Sequence, residues 1–308
     1  MPEIVSWKAF KFFVKHSLWN GPHFTRWYFT CHSQGIMSWR NPFASREPEK
    51  VPVHYLTGRD QYMMCIWSIV SFVKATQRNW SFHIHDDGTL RGDEEAALRT
   101  MGFSAKLYYR KNANDTVDKA LMPYPLCSEH RRRLPVAIKL YDFVILTTGA
   151  RYIMIDSDVL FFDLPTEILR WVDSGNESFF FNEDAVEANL VSQDAARNLF
   201  GISLWPRVNV GLCCIPRAAM SLTDSEWFLR KSGMLTMPDI WTIEQTLYAL
   251  HASKSNAGGL LPRCYELTVS GARRRDGVCR HYVGAVRDRF YTEGIPDIAR
   301  RLGVSAAS

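Results

Sequence analysis

Short apolar runs alternate with longer helical patterns through the first half of the chain. Short runs that are rich in β-branched and aromatic side chains predict strands at residues 51–56, 81–85 and 105–109. The longer patterns predict helices at residues 62–75, 93–101 and 128–146, the last of them interrupted by Pro135. Strands that alternate with helices in this way predict an α/β fold, with a mostly parallel, Rossmann-like sheet covered by helices on both faces.

The second half of the chain is less regular. Its predicted elements are strands at residues 152–155, 178–182 and 207–215 and helices at residues 221–231 and 238–251. The segment 253–280, which contains a run of three arginines, is predicted to form loops. Together these patterns predict one domain over residues 51–308, with halves 51–160 and 161–308, behind an aromatic and basic N-terminal extension over residues 1–50.

The composition is that of an ordinary globular protein, with 46% apolar and 22% charged residues in a chain of 308. A net charge of +5 is too small to indicate a nucleic-acid partner, but it suits an anionic small ligand. The seven cysteines are odd in number and include no Cys-x-x-Cys spacing, which favours a reducing compartment. We therefore expect a cytoplasmic protein that does not bind nucleic acid.

Residues 7–19 have amphipathic character. On a helical wheel Lys8, Lys11 and Lys15 cluster opposite Phe10 and Phe13. Such a helix either lies on the inner face of a membrane as a peripheral contact or packs on the domain through its aromatic face. No run of 18 apolar residues occurs in the sequence, so a transmembrane helix is not expected.

The most informative chemistry follows the apolar run 152–155, where Asp156 and Asp158 are separated by Ser157. Residues i and i+2 of an extended segment project to the same side, so the two carboxylates can converge on one point. Two neighbouring carboxylates at a strand end are costly unless a positive group lies between them, and Mn²⁺ or Mg²⁺ is a suitable partner. An isolated Asp-x-Asp can equally cap a loop or pair with arginines.

Further polar motifs follow in the second half. Asn209-Val-Gly211 lies within an apolar run, where a glycine indicates close backbone approach to a ligand. The pair Glu244-Gln245 lies on a predicted helix. Nearer the C-terminus, the sequence from His281 to Arg287 offers an imidazole for a metal, a glycine at position 284 for close approach to a phosphate, and a guanidinium for a diphosphate.

In this order the motifs resemble those of GT-A fold glycosyltransferases, most nearly glycosyltransferase family 8. That family has Asp-x-Asp after an apolar strand, then Asn-x-Gly, then an acidic residue followed by Gln, then His-x-x-Gly-x-x-Lys. A basic residue also stands 17 positions before the first aspartate, and Lys139 fills that position here. The resemblance covers roughly residues 51–290 and implies a GT-A fold whose first half binds the nucleotide and whose second half binds the acceptor.

The resemblance also implies an activity, the transfer of a sugar from a nucleotide-diphosphate sugar, with UDP as the expected nucleotide. It implies retention at the anomeric carbon and an acceptor that is a glycan, a lipid-linked sugar or a protein. Asp156, Asp158 and His281 are the implied metal ligands, and Gln245, Glu244 and Asp184 the implied catalytic residues. The implied donor-binding residues are Thr57, Gly58, Arg59, Lys139, Asp156, Ser157, Asp158, Asn209, Gly211, Gly284 and Arg287.

Three departures from the family's pattern bear on these roles. Arg287 replaces the usual lysine and keeps its charge, and Glu244 replaces the commoner aspartate. The first strand ends in Leu56-Thr57-Gly58-Arg59-Asp60, where the family usually has an acidic loop that contacts the base. The third change leaves the choice of nucleobase open. The adjacent segment 83–88, which ends the second predicted strand, is interpreted as structural.

Other functions fit parts of the sequence. A haloacid-dehalogenase-type phosphatase also has Asp-x-Asp after an apolar strand, with Asp156 as nucleophile and Asp158 as acid and base. That motif usually opens its domain, whereas here about 150 residues precede it. A nucleotide-sugar pyrophosphorylase needs a Gly-rich loop after the first strand, which is missing. A third alternative is a non-catalytic protein that binds nucleotide sugars on a GT-A scaffold.

Overall fold

The structure is a computed structural model that describes residues 35–238 and 240–303, and residues 14 and 18 before them. The strands of this part of the chain are β1 (Glu49–Thr57), β2 (Trp80–Asp86), β3 (Ser104–Tyr108), β4 (Arg151–Ile155), β5 (Val159–Phe161), β6 (Phe179–Glu183), β7 (Val208–Pro216), β8 (Gly258–Leu260), β9 (Tyr265–Leu267) and β10 (Cys279–His281).

Helices separate most of these strands. The α-helices of at least two turns are Tyr62–Thr76, Glu94–Thr100, Arg110–Leu121, Pro125–Arg133, Ile138–Leu146, Thr166–Ser174, Gln193–Phe200, Leu222–Ser232, Ile243–Ser255 and Ile295–Leu302. Short 3₁₀ turns cover Gly35–Ser38, Pro135–Ala137, Arg217–Ala219, Met234–Thr236, Ile240–Thr242 and Gly284–Val286. Among the described residues, no helix is both long and apolar enough to span a membrane.

Seven strands form the main sheet, in the order β3-β2-β1-β4-β7-β6-β8. β1 pairs in parallel with β2 and β4, β2 with β3, and β6 with β8, whereas β7 is antiparallel to both of its neighbours. The carboxyl ends of β2, β1, β4 and β6 therefore meet at one edge of the sheet, together with the start of β7. Ligands of open α/β sheets bind at such an edge.

Hydrophobic residues are buried on both faces of this sheet, as the sequence predicts for a mostly parallel sheet. Every residue of β7 is buried. Leu212 and Cys214 belong to the core on one face, and Cys213 and Ile215 to the core on the other. This alternation follows from the period of two in a strand. The helix Tyr62–Thr76, between β1 and β2, packs in the first core, which explains why it is apolar on nearly all sides.

A second, three-stranded sheet has the order β5-β10-β9. β10 is antiparallel to β5, and the pairing sets His281 opposite Val159, the residue that follows Asp158. The loops predicted for residues 253–280 are therefore wrong in part, because β8, β9 and the start of β10 lie there. Each of these strands has only three residues. They pair with segments that are distant in the sequence, so no local periodicity indicates that they are strands.

The remaining predicted elements of the first half match the structure to within a few residues, and Pro135 begins a 3₁₀ turn between two helices. Helices at Arg110–Leu121, Thr166–Ser174, Gln193–Phe200 and Ile295–Leu302 were not predicted. The amphipathic segment 7–19 lies outside the described residues, apart from positions 14 and 18. Ile36, which lies within the predicted extension 1–50, is fully buried in the core. The division of the chain at residue 50 stays a prediction.

Candidate active site

A cavity of about 300 Å³ opens at the carboxyl edge of the main sheet. Its floor comes from the ends of β1 and β4, and its sides from the start of the helix Ile138–Leu146 and from the segment after β10. The residues that line it are Leu56, Thr57, Gly58, Gln61, Asp87, Pro135, Val136, Lys139, Asp156, Ser157, Asp158, His281, Val283, Gly284 and Arg287. The cavity thus brings together carboxylate side chains, positively charged side chains and two glycines.

Three side chains in this cavity could hold a metal ion. One ligand atom from each of Asp156, Asp158 and His281 lies within 4.8 Å of the other two. Nε2 of His281 is 3.1 Å from an oxygen of Asp158 and 3.8 Å from an oxygen of Asp156. Two carboxylates and one imidazole supply oxygen and nitrogen ligands that suit a divalent cation.

The histidine is oriented by Asn209 on β7. Oδ1 of Asn209 lies 3.0 Å from Nδ1 of His281 and also accepts a hydrogen bond from the backbone N–H of Gly211. Because Nδ2 of the same amide donates to Asp184, Oδ1 can only accept, so Nδ1 of the imidazole carries the proton. In the neutral ring Nε2 then has a free lone pair that faces the two aspartates.

Gly211 makes room for this ring. A Cβ atom added at Gly211 would lie 2.1 Å from Cε1 of His281, so any side chain here displaces the imidazole. The backbone carbonyl of Gly211 also accepts a hydrogen bond of 2.7 Å from the N–H of Asp156. The Asn-x-Gly motif therefore fixes both the histidine and the first aspartate.

Arg287 and His281 both contact Asp158, which is almost fully buried. An Nη atom of Arg287 is 2.5 Å from Oδ2 of Asp158. Burial by itself raises the pKa of the Asp158 carboxyl, but His281 and Arg287 outweigh it and hold that pKa well below its usual range. Burial likewise lowers the pKa of His281, but the neighbouring aspartates reverse this and leave it raised.

Lys139 lies on the other side of Asp156. Its Nζ is 2.5 Å from Asp156 and 3.4 Å from Oε1 of Glu244, and the lysine side chain is only 7% exposed. Tyr248 supports this arrangement by donating a hydrogen bond to the backbone carbonyl of Lys139. Burial raises the pKa of Glu244 to about 7, although Lys139 favours the ionised form. Glu244 is thus a buried carboxyl group whose charged partner is Lys139.

Gln245 and Asp184 are not among the residues that line the main cavity. Gln245 is buried in the first turn of Ile243–Ser255, and its Nε2 has no hydrogen-bond partner among the described residues. Asp184 follows β6 and lines a second cavity, of about 190 Å³. Its other lining residues are Glu183, Ala185, Arg207, Arg263, Tyr265, Glu266, Leu267, Thr268 and Arg274.

The first-strand residues divide between two cavities. Thr57 and Gly58 line the main cavity, and Ser157 joins them because its hydroxyl donates to the backbone carbonyl of Leu56. Arg59 instead lines a separate cavity of about 250 Å³, which Tyr62 also lines. The structure therefore does not bring Arg59 together with the other residues that the sequence predicted for donor binding.

Several lining residues were missed from the sequence. Asp87 belongs to a segment interpreted as structural, yet it lines the main cavity beside Gly58. Two consecutive aspartates before Gly88 were a signal in the sequence. One aspartate is enough to cap a turn, so the second could have been assigned to the cavity. Gln61, Val136 and Val283 also line the cavity and carry no distinctive pattern.

No protein-family model matches the sequence, and no similar sequence is found among curated proteins. Solved structures do share the fold. Mouse xyloside xylosyltransferase 1 matches with a TM-score of 0.50 at 11% identity, over 77% of this chain and 98% of that chain. The galactosyltransferase LgtC, solved with donor and acceptor sugar analogues, matches with a TM-score of 0.52 at 14% identity, over 82% of this chain and all of that chain.

A third similar structure is the bifunctional glycosyltransferase WbbM, with a TM-score of 0.56 at 14% identity. The match covers 82% of this chain but only half of that chain. All three are GT-A glycosyltransferases, so the chain has the GT-A fold that its motifs predict.

Proposed function

We propose that this protein is a glycosyltransferase that transfers a sugar from a nucleotide-diphosphate sugar, with UDP as the nucleotide, in a metal-dependent reaction. The observation that supports this best is the convergence of Asp156, Asp158 and His281 in one cavity, with Lys139 and Arg287 on either side of them. This arrangement lies at the ligand-binding edge of a GT-A sheet. Two carboxylates and an imidazole would hold a divalent metal, and the two flanking cations suit a diphosphate.

The ligand atoms of these three side chains fit Mn²⁺ or Mg²⁺. Asp156 and Asp158 offer carboxylate oxygens, and the imidazole of His281, once neutral, would offer Nε2, because Asn209 accepts the hydrogen bond from Nδ1–H. A bound divalent ion supplies Lewis-acid stabilisation for the charge that develops on the departing diphosphate. Deprotonated and oriented ligands of this kind are what such an ion requires.

The two cations of the site have separate tasks. Lys139 is nearly fully buried and held by Asp156 and Glu244, so its ammonium acts as a fixed positive charge beside the first aspartate. The side chain of Arg287 is 36% exposed and contacts Oδ2 of Asp158 through one Nη, and its buried Nε has no hydrogen-bond partner among the described residues. Its remaining donors can bind phosphate oxygens, in the bidentate manner that guanidinium allows. We therefore assign Lys139 to holding Asp156 and Glu244 in place, and Arg287 to binding the leaving diphosphate.

The sugar is proposed to bind between the metal ligands and Gln245. The unpartnered Nε2 of Gln245 is buried, and a buried donor gains from a ligand that supplies an acceptor. As a neutral amide, Gln245 orients the sugar or stabilises the developing positive charge at the anomeric carbon. Glu244, paired with Lys139, supports that position electrostatically. This assignment favours transfer with retention by attack from the face of the leaving group.

The acceptor is proposed to enter through the second cavity. Asp184 lines it and is joined to the metal site by one amide, since Asn209 hydrogen-bonds both Asp184 and His281. Carboxylates, guanidinium groups and Tyr265 on its walls suit a hydroxyl-rich acceptor such as a glycan, either free, lipid-linked or on a protein. A cytoplasmic location and membrane contact through residues 7–19 stay predictions.

Incubation with a panel of nucleotide sugars and simple sugar acceptors, followed by proton NMR of the product, tests this function. A product linkage with the anomeric configuration of the donor supports retention. An inverted product would contradict the family 8 assignment. Mass spectrometry tests the mechanism, since a covalent glycosyl adduct on Glu244 would show a two-step reaction in place of front-face attack. Phosphatase activity without any nucleotide would favour the dehalogenase-type alternative, and tight donor binding without turnover a non-catalytic binding protein.

A further inference from the structure

Asp158 has a partner on each of its two carboxylate oxygens. Nε2 of His281 lies 3.1 Å from Oδ1, and an Nη atom of Arg287 lies 2.5 Å from Oδ2. A metal ion that uses Asp158 therefore meets the guanidinium of Arg287 at the same carboxylate. We propose that Arg287 is an exchangeable counter-ion, which holds Asp158 until a diphosphate draws it away, so that the metal and the diphosphate bind cooperatively; the inference rests on the function proposed above.

The charges of Asp156 and Asp158 are compensated by two nearby cations. Nζ of Lys139 lies 2.5 Å from Asp156, so each carboxylate has a cation of its own. A divalent ion gains little from carboxylates whose charge is already compensated, and it is repelled by a guanidinium at the same group. Asp158 is only 5% exposed, so solvent and salt screen this repulsion weakly. Tight binding of the metal therefore requires one of the two cations to move.

Arg287 is the cation that can move. The side chain of Lys139 is 7% exposed and lies beside both Asp156 and Glu244. The side chain of Arg287 is 36% exposed and hydrogen-bonds Asp158 through one Nη, while its buried Nε has no hydrogen-bond partner among the described residues. A buried donor without a partner is unfavourable, so the guanidinium gains hydrogen bonds when a ligand supplies further acceptors.

The segment that carries Arg287 leaves room for this movement. After β10 it forms the 3₁₀ turn Gly284–Val286, and Gly284 and Arg287 both line the main cavity. Apart from its chain neighbours, no heavy atom of the described residues lies within 4 Å of a Cβ added at Gly284, so the turn is not packed on another element there. Asp158, by contrast, is held by the sheet, because its backbone carbonyl accepts a hydrogen bond of 2.9 Å from the N–H of Tyr282.

A diphosphate offers Arg287 more acceptors than Asp158 does. Asp158 presents one oxygen, Oδ2, to the guanidinium, because Oδ1 lies against His281. A diphosphate presents several oxygens, and the planar fork of a guanidinium can make two parallel hydrogen bonds to them. When Arg287 moves to the phosphates, Oδ2 of Asp158 becomes available to the metal. By linkage, each ligand then strengthens the binding of the other by the same factor.

Arg289 allows the effect of this contact to be separated from the effect of positive charge in general. It lies two residues after Arg287, and its side chain is 39% exposed, against 36% for Arg287. An Nη atom of Arg289 lies 3.6 Å from Glu293, so its partner is a different carboxylate. Removal of either arginine changes the net charge by the same amount. Removal of Arg287 frees Oδ2 of Asp158, whereas removal of Arg289 leaves it paired.

The test is the affinity for Mn²⁺ without any nucleotide, measured by electron paramagnetic resonance of free Mn²⁺. Arg287→Ala should bind Mn²⁺ about 10-fold more tightly than the wild type, within the range of about 5- to 150-fold for coupling between two sites. Arg287→Gln, which is neutral but keeps part of the side chain, should do the same. Arg287→Lys and Arg289→Ala should stay close to the wild type. In calorimetric titrations, Mn²⁺ should strengthen UDP binding by a smaller factor in Arg287→Ala than in the wild type.

Two outcomes would overturn the inference and leave the proposed function standing. Nucleotide-free Mn²⁺ affinity in Arg287→Ala and Arg287→Gln that is equal to or weaker than that of the wild type would show that Arg287 does not compete with the metal. Equal tightening in Arg289→Ala would show a general effect of charge rather than an effect of the contact with Asp158. A wild type that binds no Mn²⁺ even with UDP would remove both this inference and the proposed metal dependence.

Discussion

Oδ1 of Asn209 lies 3.0 Å from Nδ1 of His281 and fixes which nitrogen of the imidazole carries its proton. The same amide donates to Asp184 at 2.9 Å, so it cannot rotate without loss of one of these bonds. A polar side chain that binds no metal itself thereby presents Nε2 of His281 to Asp156 and Asp158. Hydrogen-bond partners of this kind hold metal ligands in their binding orientation.

Asn209→Ala should weaken Mn²⁺ binding in the presence of UDP by about 10- to 100-fold, the range found for the loss of such partners. The free imidazole can then adopt the other tautomer, and its ring is no longer held. Electron paramagnetic resonance of free Mn²⁺ measures the change directly. Asn198→Ala, on an exposed face of Gln193–Phe200, is the control and should bind Mn²⁺ as the wild type does. Unchanged affinity in Asn209→Ala would remove the orienting role of Asn209.

Gly211→Ala should abolish most metal-dependent activity, because its Cβ would overlap the ring of His281 at 2.1 Å. The comparison variant is Gly259→Ala, since no heavy atom of the described residues, apart from its chain neighbours, lies within 4 Å of a Cβ at that strand position. Steady-state kinetics at saturating donor should show a loss of at least about 100-fold in kcat for the first variant, equivalent to about 2.7 kcal/mol, and little change for the second. Similar kinetics for both variants would contradict the close packing of Gly211 on His281.

Arg287→Ala should weaken binding of UDP by more than it weakens binding of uridine, because the guanidinium is proposed to contact the diphosphate. Arg287→Lys should have a mild effect, since it keeps the positive charge. Competition titrations with UDP and uridine measure both effects. An equal loss for the two ligands would show that Arg287 does not contact the phosphates.

Lys139→Met should destabilise the protein by about 3–5 kcal/mol, the cost of leaving a buried carboxylate without its partner. Nζ of Lys139 is the cation next to both Asp156 and Glu244. Adding Glu244→Gln should restore part of the lost stability, because a neutral amide needs no counter-charge. Urea unfolding of the single and double variants provides the measurement, and a double variant less stable than Lys139→Met would contradict the pairing.

The same variant should have a distinct pH dependence. Burial already raises the pKa of Glu244 to about 7 with Lys139 present, and removal of the lysine raises it further. A carboxyl whose pKa is higher in the folded state than in the unfolded state binds more protons when folded, so its folded state gains stability as the pH falls. The stability deficit of Lys139→Met relative to the wild type should therefore be smaller at pH 5 than at pH 8.

The features of the site that follow from local pattern could be predicted from the sequence. Asp156 and Asp158 follow a buried strand, and the apolar run before them is enough to place them at its carboxyl end. The alternation of strands and helices likewise predicted the fold of the first half. Lys139 was predicted for the site through its spacing from Asp156 in a related family, and it lies 2.5 Å from that residue.

The features that depend on distant pairing could not be predicted in this way. β9 and β10 have three residues each and include Glu266 and Arg280, which are both almost fully buried, so they have no strand-like pattern. Asp87 reaches the main cavity because β2 lies beside β1, whereas Arg59 lines another cavity. Sequence reveals which residues can do chemistry, but the register between strands decides which of them meet.

The most direct test of the central claim is the rate of UDP release from UDP-sugars by the wild type and by Asp158→Asn, with Mn²⁺ and with EDTA. Asp158 is almost fully buried and contacts both His281 and Arg287, so the amide substitution removes one metal ligand with little change in shape. Mn²⁺-dependent release by the wild type, lost in EDTA and reduced at least about 100-fold in a folded Asp158→Asn variant, is the predicted result. Full activity in EDTA, or an Asp158→Asn variant as active as the wild type, would contradict the claim that these residues form a metal-dependent sugar-transfer site.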